Sequence, residues 1–426
     1  MTQRTGGNTV LAYRSALEAL RNGVPNREAV RLLGCNQPEA ESEFTRLLNT
    51  AQDTTNMPDN ALGMLVSGDF GTGKSHLLTY LEHLALERGF VCSKVVISKE
   101  TPLYDLSKVF KSAVDNGRMP DRKGRLIEEL GQALAPRSEA YDALYVWAHD
   151  TPANGLSQIF PASLRVHSDS RDLQLDSEVE RFWGGDPILV SRVKGGLRQI
   201  RQLQSYSFRA PRVAELPPQR LRFTTELIKA AGYKGWVVLL DEIELVGSYS
   251  LLQRGRSYAE LARWMGQAVT QKYPGLIVVG TVTADFATTV IDPSGQKRDR
   301  DNVGPRLQAR HEDIVPLAEA GMRLLERGGI PLSPPPDSHV QSTMDELRRI
   351  YSIAYDWNAP PLLAKSGGAG YQGRMRFKVR SAINEWDLIR VYPNSRPDIV
   401  GDDFRSSYTE DHDLETESKD NAGDDC

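Results

Sequence analysis

Two short stretches hold the residue types that phosphate chemistry needs. The first, GDFGTGKS at residues 68–75, fits the spacing G-x-x-x-x-G-K-S and adds a further glycine, Gly71. Glycines in such a run let the backbone of Gly68, Asp69, Phe70, Gly71, Thr72 and Gly73 turn its N–H groups inward around phosphate oxygens. Lys74, Ser75 and His76 then open a helix whose N-terminus favours an anion. In this reading Lys74 reaches the β- and γ-phosphates of a nucleoside triphosphate, and the Ser75 hydroxyl ligates Mg²⁺.

The second stretch, WVVLLDEIE at 236–244, ends an apolar run in carboxylates. Asp241 would hold the Mg²⁺ shell next to Ser75, and Glu242 would orient or deprotonate the attacking water. Glu244 is a second carboxylate on the same side of an extended chain, and Glu242 ranks first as the catalyst. A third run, LIVVGTVT at 276–283, puts Thr281 and Thr283 at its carboxyl end, where ligands of open α/β sheets bind. Either threonine could hydrogen-bond the lytic water or the γ-phosphate. ATP and Mg²⁺ are the expected cofactors.

These residues need a scaffold that brings distant segments together. ALGMLVS (61–67) is short, apolar and continuous, which predicts a buried strand leading into the glycines. Leu77, Leu78, Leu81 and Leu84 form one stripe of a helix that Gly89 ends. VCSKVVIS (91–98) reads as the next strand and LYDLSKVFKSAV as the next helix. Alternating strands and helices predict an α/β fold, a mainly parallel central sheet with helices on both faces. The third strand, 276–283, should lie beside the Asp241 strand, since successive strands usually neighbour each other. Residues 286–304 read as a polar, charged loop, followed by a helix at VPLAEAGMRLLERGG and a Pro-rich joint at 332–337.

The pattern divides the chain into an N-terminal helical segment (1–55), a first part of the core (56–117) and a mainly helical insertion (118–220). A second part of the core (221–330), a C-terminal helical lid (331–400) and an acidic tail (401–426) follow. The net charge of −4 conceals an asymmetry, because the tail holds ten acidic and two basic side chains. The remaining 400 residues are therefore positive by four. A segment so charged and so poor in aliphatic side chains is expected to be disordered. Three dispersed cysteines exclude a disulfide framework. No apolar run is long enough to span a bilayer, and the first residues lack the apolar core of a signal peptide, so a cytoplasmic protein is expected. The histidines have no metal-ligand spacing and no G-x-S-x-G elbow occurs.

The phosphate loop with its middle glycine, and an acidic pair rather than a lone aspartate, resemble the AAA+ superfamily of ATPases, most nearly its origin-recognition and initiator-like members. The stretches ALRNGVPNREAVRLLG (19–34), GDFGTGKSHLL and VVLLDEIELV together resemble the BrxD-type ATP-binding proteins of bacteriophage-exclusion (BREX) systems. The resemblance implies a P-loop ATPase active as a homo-oligomer, with a trans-acting arginine after the third strand. Arg306 and Arg310 are the candidates for it. A lid arginine contacting the γ-phosphate would come from Arg374, Arg376 or Arg380, with Arg376 chosen. An asparagine commonly fills the polar position of the third strand in that superfamily, where this chain has threonine.

Residues 192–235 contain ten Lys or Arg against Glu215 and Glu226. Tyr206, Phe208 and Phe223 alternate there with Arg198, Arg201, Arg209, Arg212, Arg220 and Arg222. Such a mixture suits a nucleic-acid backbone with occasional base stacking. Two functions follow from these readings. One is an oligomeric DNA-associated ATPase, a loader or motor working with a partner helicase in phage defence. The other is a slow nucleotide-dependent switch that controls assembly of protein partners.

Overall fold

The computed structural model describes residues 3–22, 27–53, 58–135, 138–268, 272–309, 311–361 and 375–393, with the side chains of 3–8 excepted. The acidic tail, Arg310 and Arg374 lie outside the described residues.

At the centre is a six-stranded, mainly parallel sheet. Its strands are β1 (Leu62–Ser67), β2 (Val91–Val96), β3 (Gly117–Arg118), β4 (Trp236–Asp241), β5 (Leu276–Val282) and β6 (Ile330–Pro331). Their spatial order is β3-β2-β4-β5-β1-β6, and only β3 runs antiparallel to its neighbour. β4 and β5 are buried at every position, as expected for parallel strands covered by helices on both faces. β5 pairs with β4, as the sequence predicts, and also with β1. The phosphate-loop strand and the acidic strand are thus separated by the width of one strand, and their carboxyl ends are level through Val66↔Thr281 and Leu240↔Gly280. That register is what lets two segments far apart in the chain share a site.

The two-residue strands β3 and β6 carry no alternation for a sequence reading to find, and they are set by their neighbours' edges. The helix Lys74–Glu87 follows the glycine loop. It stops where Gly89 takes φ +82 and the N–H groups of Gly89 and Phe90 return to Leu86 and Ala85, a C-terminal cap that glycine allows without strain.

Between β3 and β4 the chain builds a helical body whose side chains join the core on one face of the sheet. Its longest helices are Glu139–His149, Ile159–Asp169, Leu173–Trp183 and the helix entering β4, Leu216–Ala230. The first helix, Gln3–Arg21, shares a separate apolar cluster with the C-terminal helices Asp337–Tyr355 and Met375–Val391. Leu17, Ile350, Tyr351, Ile383 and Trp386 lie at the centre of that cluster, and Arg21 pairs with Asp387 across it at 2.7 Å.

The expected loop 286–304 is in part helical, because residues 287–291 form a π-helical turn and the helix Asp299–Gln308 begins within it. The reason is a buried carboxylate. Asp299 is fully buried and accepts from Arg254 Nε and Nη2, both at 2.8 Å, and from the Tyr258 hydroxyl at 2.6 Å. Val303 and Leu307 bury the same face, although the sequence around them is charged and contains Gly304 and Pro305. Removing one partner of a buried pair typically costs about 3–5 kcal/mol, since the other charge is left without compensation. Arg254→Met should therefore lower the unfolding free energy by an amount in that range, read as a lower urea midpoint. A midpoint equal to that of the wild type would mean that the pair does not hold this corner.

Candidate nucleotide site

The phosphate loop wraps the carboxyl ends of β1 and β5. Gly68 N–H donates to the Val282 carbonyl at 3.2 Å, and the Thr72 hydroxyl closes the loop on the Asp69 carbonyl at 2.8 Å. A Cβ at Gly68 would lie 2.6 Å from Thr72 Oγ1, so the tight turn requires glycine there. Gly71 and Gly73 take φ +80 and +101, the left-handed region that side chains disfavour. Gly73 leads into the helix Lys74–Glu87, with Ser75 on its first turn. Asp69 is exposed at the loop's rim, and the Phe70 ring lies 4.9 Å from Lys74 Nζ. The His76 ring is engaged elsewhere. Its Nε2 hydrogen-bonds the Gly34 carbonyl at 2.7 Å, and burial lowers its pKa, so it faces the N-terminal helices as a neutral ring.

Lys74 is almost fully buried. Its ammonium donates to the Gly68 carbonyl at 2.8 Å and lies 3.3 Å from Glu244 Oε1. The loop and the acidic segment therefore meet directly. Asp241 is also buried and accepts from the Thr281 hydroxyl at 2.8 Å, while Lys94 Nζ sits 3.2 Å from its other oxygen. Thr281 thus uses its hydroxyl to orient Asp241, which separates it from Thr283, a buried residue just beyond β5. Lys94 is a residue that the sequence reading missed. It stands mid-strand in VCSKVVIS, and only the pairing of β2 with β4 puts it beside Asp241.

Glu242 follows at φ +62, ψ +39, an uncommon conformation for a residue with a side chain. Such local strain is held at sites that need a side chain aimed in one direction. Glu242 is exposed, whereas Glu244 is buried, with Oε1 facing the Lys74 ammonium and Oε2 without a hydrogen-bond partner among the described residues. Partial burial, with the charge of Asp241 second, raises the pKa of Glu242, and burial raises that of Glu244.

Among the described residues no group of three His, Cys, Asp or Glu side chains is spaced to hold a metal by itself. Mg²⁺ does not require one, because it keeps several waters and is commonly held by one or two carboxylates together with substrate phosphates. Ser75 and Asp241 offer oxygen donors of the right kind. The unpartnered Glu244 Oε2 beside Lys74 fits a site that takes up metal-bound water. The backbone cradle at residues 68–75 fits a triphosphate on the same grounds.

Arg306 and Arg376 are exposed and, among the described residues, neither is held in an ion pair. Arg306 projects from the helix Asp299–Gln308 and Arg376 from the start of Met375–Val391.

Of the three aromatics that alternate with arginines in the stretch 192–235, two are withdrawn from stacking, and Phe208 is half-buried. Phe223 is fully buried, and the Tyr206 hydroxyl lies 2.8 Å from that of Tyr145 inside the helical body. Arg220 is buried and donates to the carbonyls of Gly185 and Asp186, and Arg222 donates to the Asn154 carbonyl. These side chains tie the helix Leu216–Ala230 to its surroundings. Arg198, Arg201, Arg209 and Arg212 remain exposed.

A model of the family described as BREX system ATP-binding protein BrxC/D matches residues 12–125 and 218–294. The match supports reading the chain as a BREX ATP-binding protein. The matched stretches include the phosphate loop, Asp241, Glu242 and Thr281, and they flank the helical body at 126–217. The match supports ATP binding and a role in phage defence. No curated protein and no solved structure matches the chain. Among the described residues no helix is long and apolar enough to cross a membrane.

Proposed function

We propose that this protein is a Mg²⁺-dependent ATPase of AAA+ type that works on DNA as a homo-oligomer, alongside a helicase or other defence proteins. The observation that carries the reading is the meeting of Lys74 with the acidic segment, at 3.3 Å from Glu244, while Thr281 on the intervening strand fixes Asp241. Lys74 neutralises phosphate charge and Ser75 and Asp241 hold the metal shell. Glu242, exposed at the strand end, takes up the water proton. When bound, Mg²⁺ would supply neutralisation of the developing phosphate charge. Arg306, exposed and without an ion pair among the described residues, is available to a neighbouring protomer's site, with Arg310 as the second candidate. Arg376 is the lid candidate.

One observation favours the slower alternative, in which nucleotide acts as an assembly switch. Lys94 holds Asp241 and Glu244 holds Lys74, so both groups needed for hydrolysis are paired with protein charges. Phosphate release over many turnovers separates the two readings. A steady rate that needs Mg²⁺ and rises with DNA supports the ATPase. Release limited to one equivalent per chain supports the switch.

A further inference from the structure

Away from the phosphate loop, a groove of about 1340 Å³ runs between the helix Lys74–Glu87 and the segment 117–125 at the β2–β3 edge of the sheet. Six cations line it: Arg27, Lys94, Arg118, Arg122, Lys123 and Arg125. The acidic lining residues are Glu82, Asp115 and Asp121, so the walls are positive by three. The positive charge is also poorly compensated where it is densest. Arg27 and Arg118 both turn toward the single buried carboxylate of Glu82, Arg27 in a direct hydrogen bond and Arg118 at 3.9 Å. Burial, and then repulsion from Arg27, lower the pKa of Arg118. Lys123 is exposed with no partner among the described residues. Arg122 and Arg125 meet Glu129 and Glu128 in partly exposed pairs, which hold each other weakly. Exposed Val96 and Pro120 break the polar lining with apolar surface.

We infer that this groove seats the phosphodiester backbone of a nucleic-acid strand. The inference rests on the DNA-associated reading above and adds a surface apart from residues 192–235. The space exceeds the roughly 300–1,000 Å³ of a small-ligand pocket, which suits an extended polyanion. Guanidinium forks match phosphate oxygens two at a time, and the apolar lining suits sugars and base edges between the charges. At its inner end the groove reaches Lys94, whose ammonium pairs with Asp241. A strand phosphate drawing Lys94 outward frees that carboxylate for the metal shell, so the partner and the nucleotide site are joined through one side chain.

The test uses the full chain without nucleotide and a fluorescein-labelled oligothymidylate, with anisotropy read over a range of salt. Arg118→Ala, Arg122→Ala and Lys123→Ala combined should weaken binding by about tenfold or more and flatten the salt slope by about 2, at roughly 0.7 per lost contact on a single strand. Lys123→Glu alone, on an exposed side chain, should shift affinity in the same direction. Fluorescent ATP-analogue binding should match the wild type in both variants. Equal oligonucleotide affinity in wild type and triple variant overturns the inference. So does a wild type with no salt-dependent binding, or one that binds only after residues 401–426 are removed, which would assign the groove to the chain's own acidic tail. Loss of groove-dependent binding and absence of ATP hydrolysis are separate readouts, so the two readings can fail independently.

Discussion

Lys74→Ala should abolish detectable turnover and weaken ATP binding by about 100-fold or more, since a hydrogen bond to a charged group contributes about 1.5–3 kcal/mol and this ammonium would serve two phosphates. The environment makes the loss larger than deletion of one surface lysine. Lys74 is buried, and its removal leaves Glu244 as a buried carboxylate facing the place where phosphate charge must enter. A companion variant separates the two effects. Lys74→Ala combined with Glu244→Gln removes the stranded carboxylate, so it should recover stability lost by the single variant without recovering ATP binding. Fluorescence titration with an ATP analogue and thermal melting read the two quantities separately. Affinity in Lys74→Ala within about threefold of wild type, under 1 kcal/mol, would refute the phosphate assignment.

The legible parts of this site were those set by local rules. Glycine spacing requires a turn that only small residues permit, and Gly71 and Gly73 do adopt left-handed backbone. Continuous apolar runs gave β1, β4 and β5, because a parallel strand buried on both faces needs no alternation. What escaped depends on which strands pair. Lys94 reads as an ordinary polar break in a strand, and the pairing of β2 with β4 makes it the partner of Asp241. Asp299 reads as part of a charged loop, while the structure buries it under Arg254 and Tyr258. Phe223 and Arg220 misled in the opposite direction. An aromatic and basic alternation is equally the pattern of an amphipathic helix whose aromatics enter the core and whose arginines satisfy backbone carbonyls. The groove at residues 117–125 escapes a sequence reading because its cations come from three separate segments, and only GRMPDRKGR is visibly basic as a string.

The choice between the two carboxylates after Asp241 is decided by what each can reach. Glu242→Gln should retain ATP binding and lose about 10²–10⁴-fold in kcat, the range for removing a positioned general base. Glu242 is exposed, so water can approach it, and it sits in left-handed backbone just past the strand that carries Asp241. Glu244 is buried against Lys74, where it resembles a counter-ion that must yield when phosphate arrives. Glu244→Gln should therefore leave kcat nearer to wild type and shift ATP affinity instead. The pH profile adds a second readout. The base works as its carboxylate, and partial burial beside Asp241 raises the pKa of Glu242 above the usual 4.5. The rate should thus rise with pH through a midpoint above that value, and Glu242→Gln should remove this limb. A limb that persists unchanged in Glu242→Gln would show that Glu242 does not take the proton. If the limb instead disappears in Glu244→Gln, the base is the buried carboxylate, and Lys74 would have to release it on binding ATP.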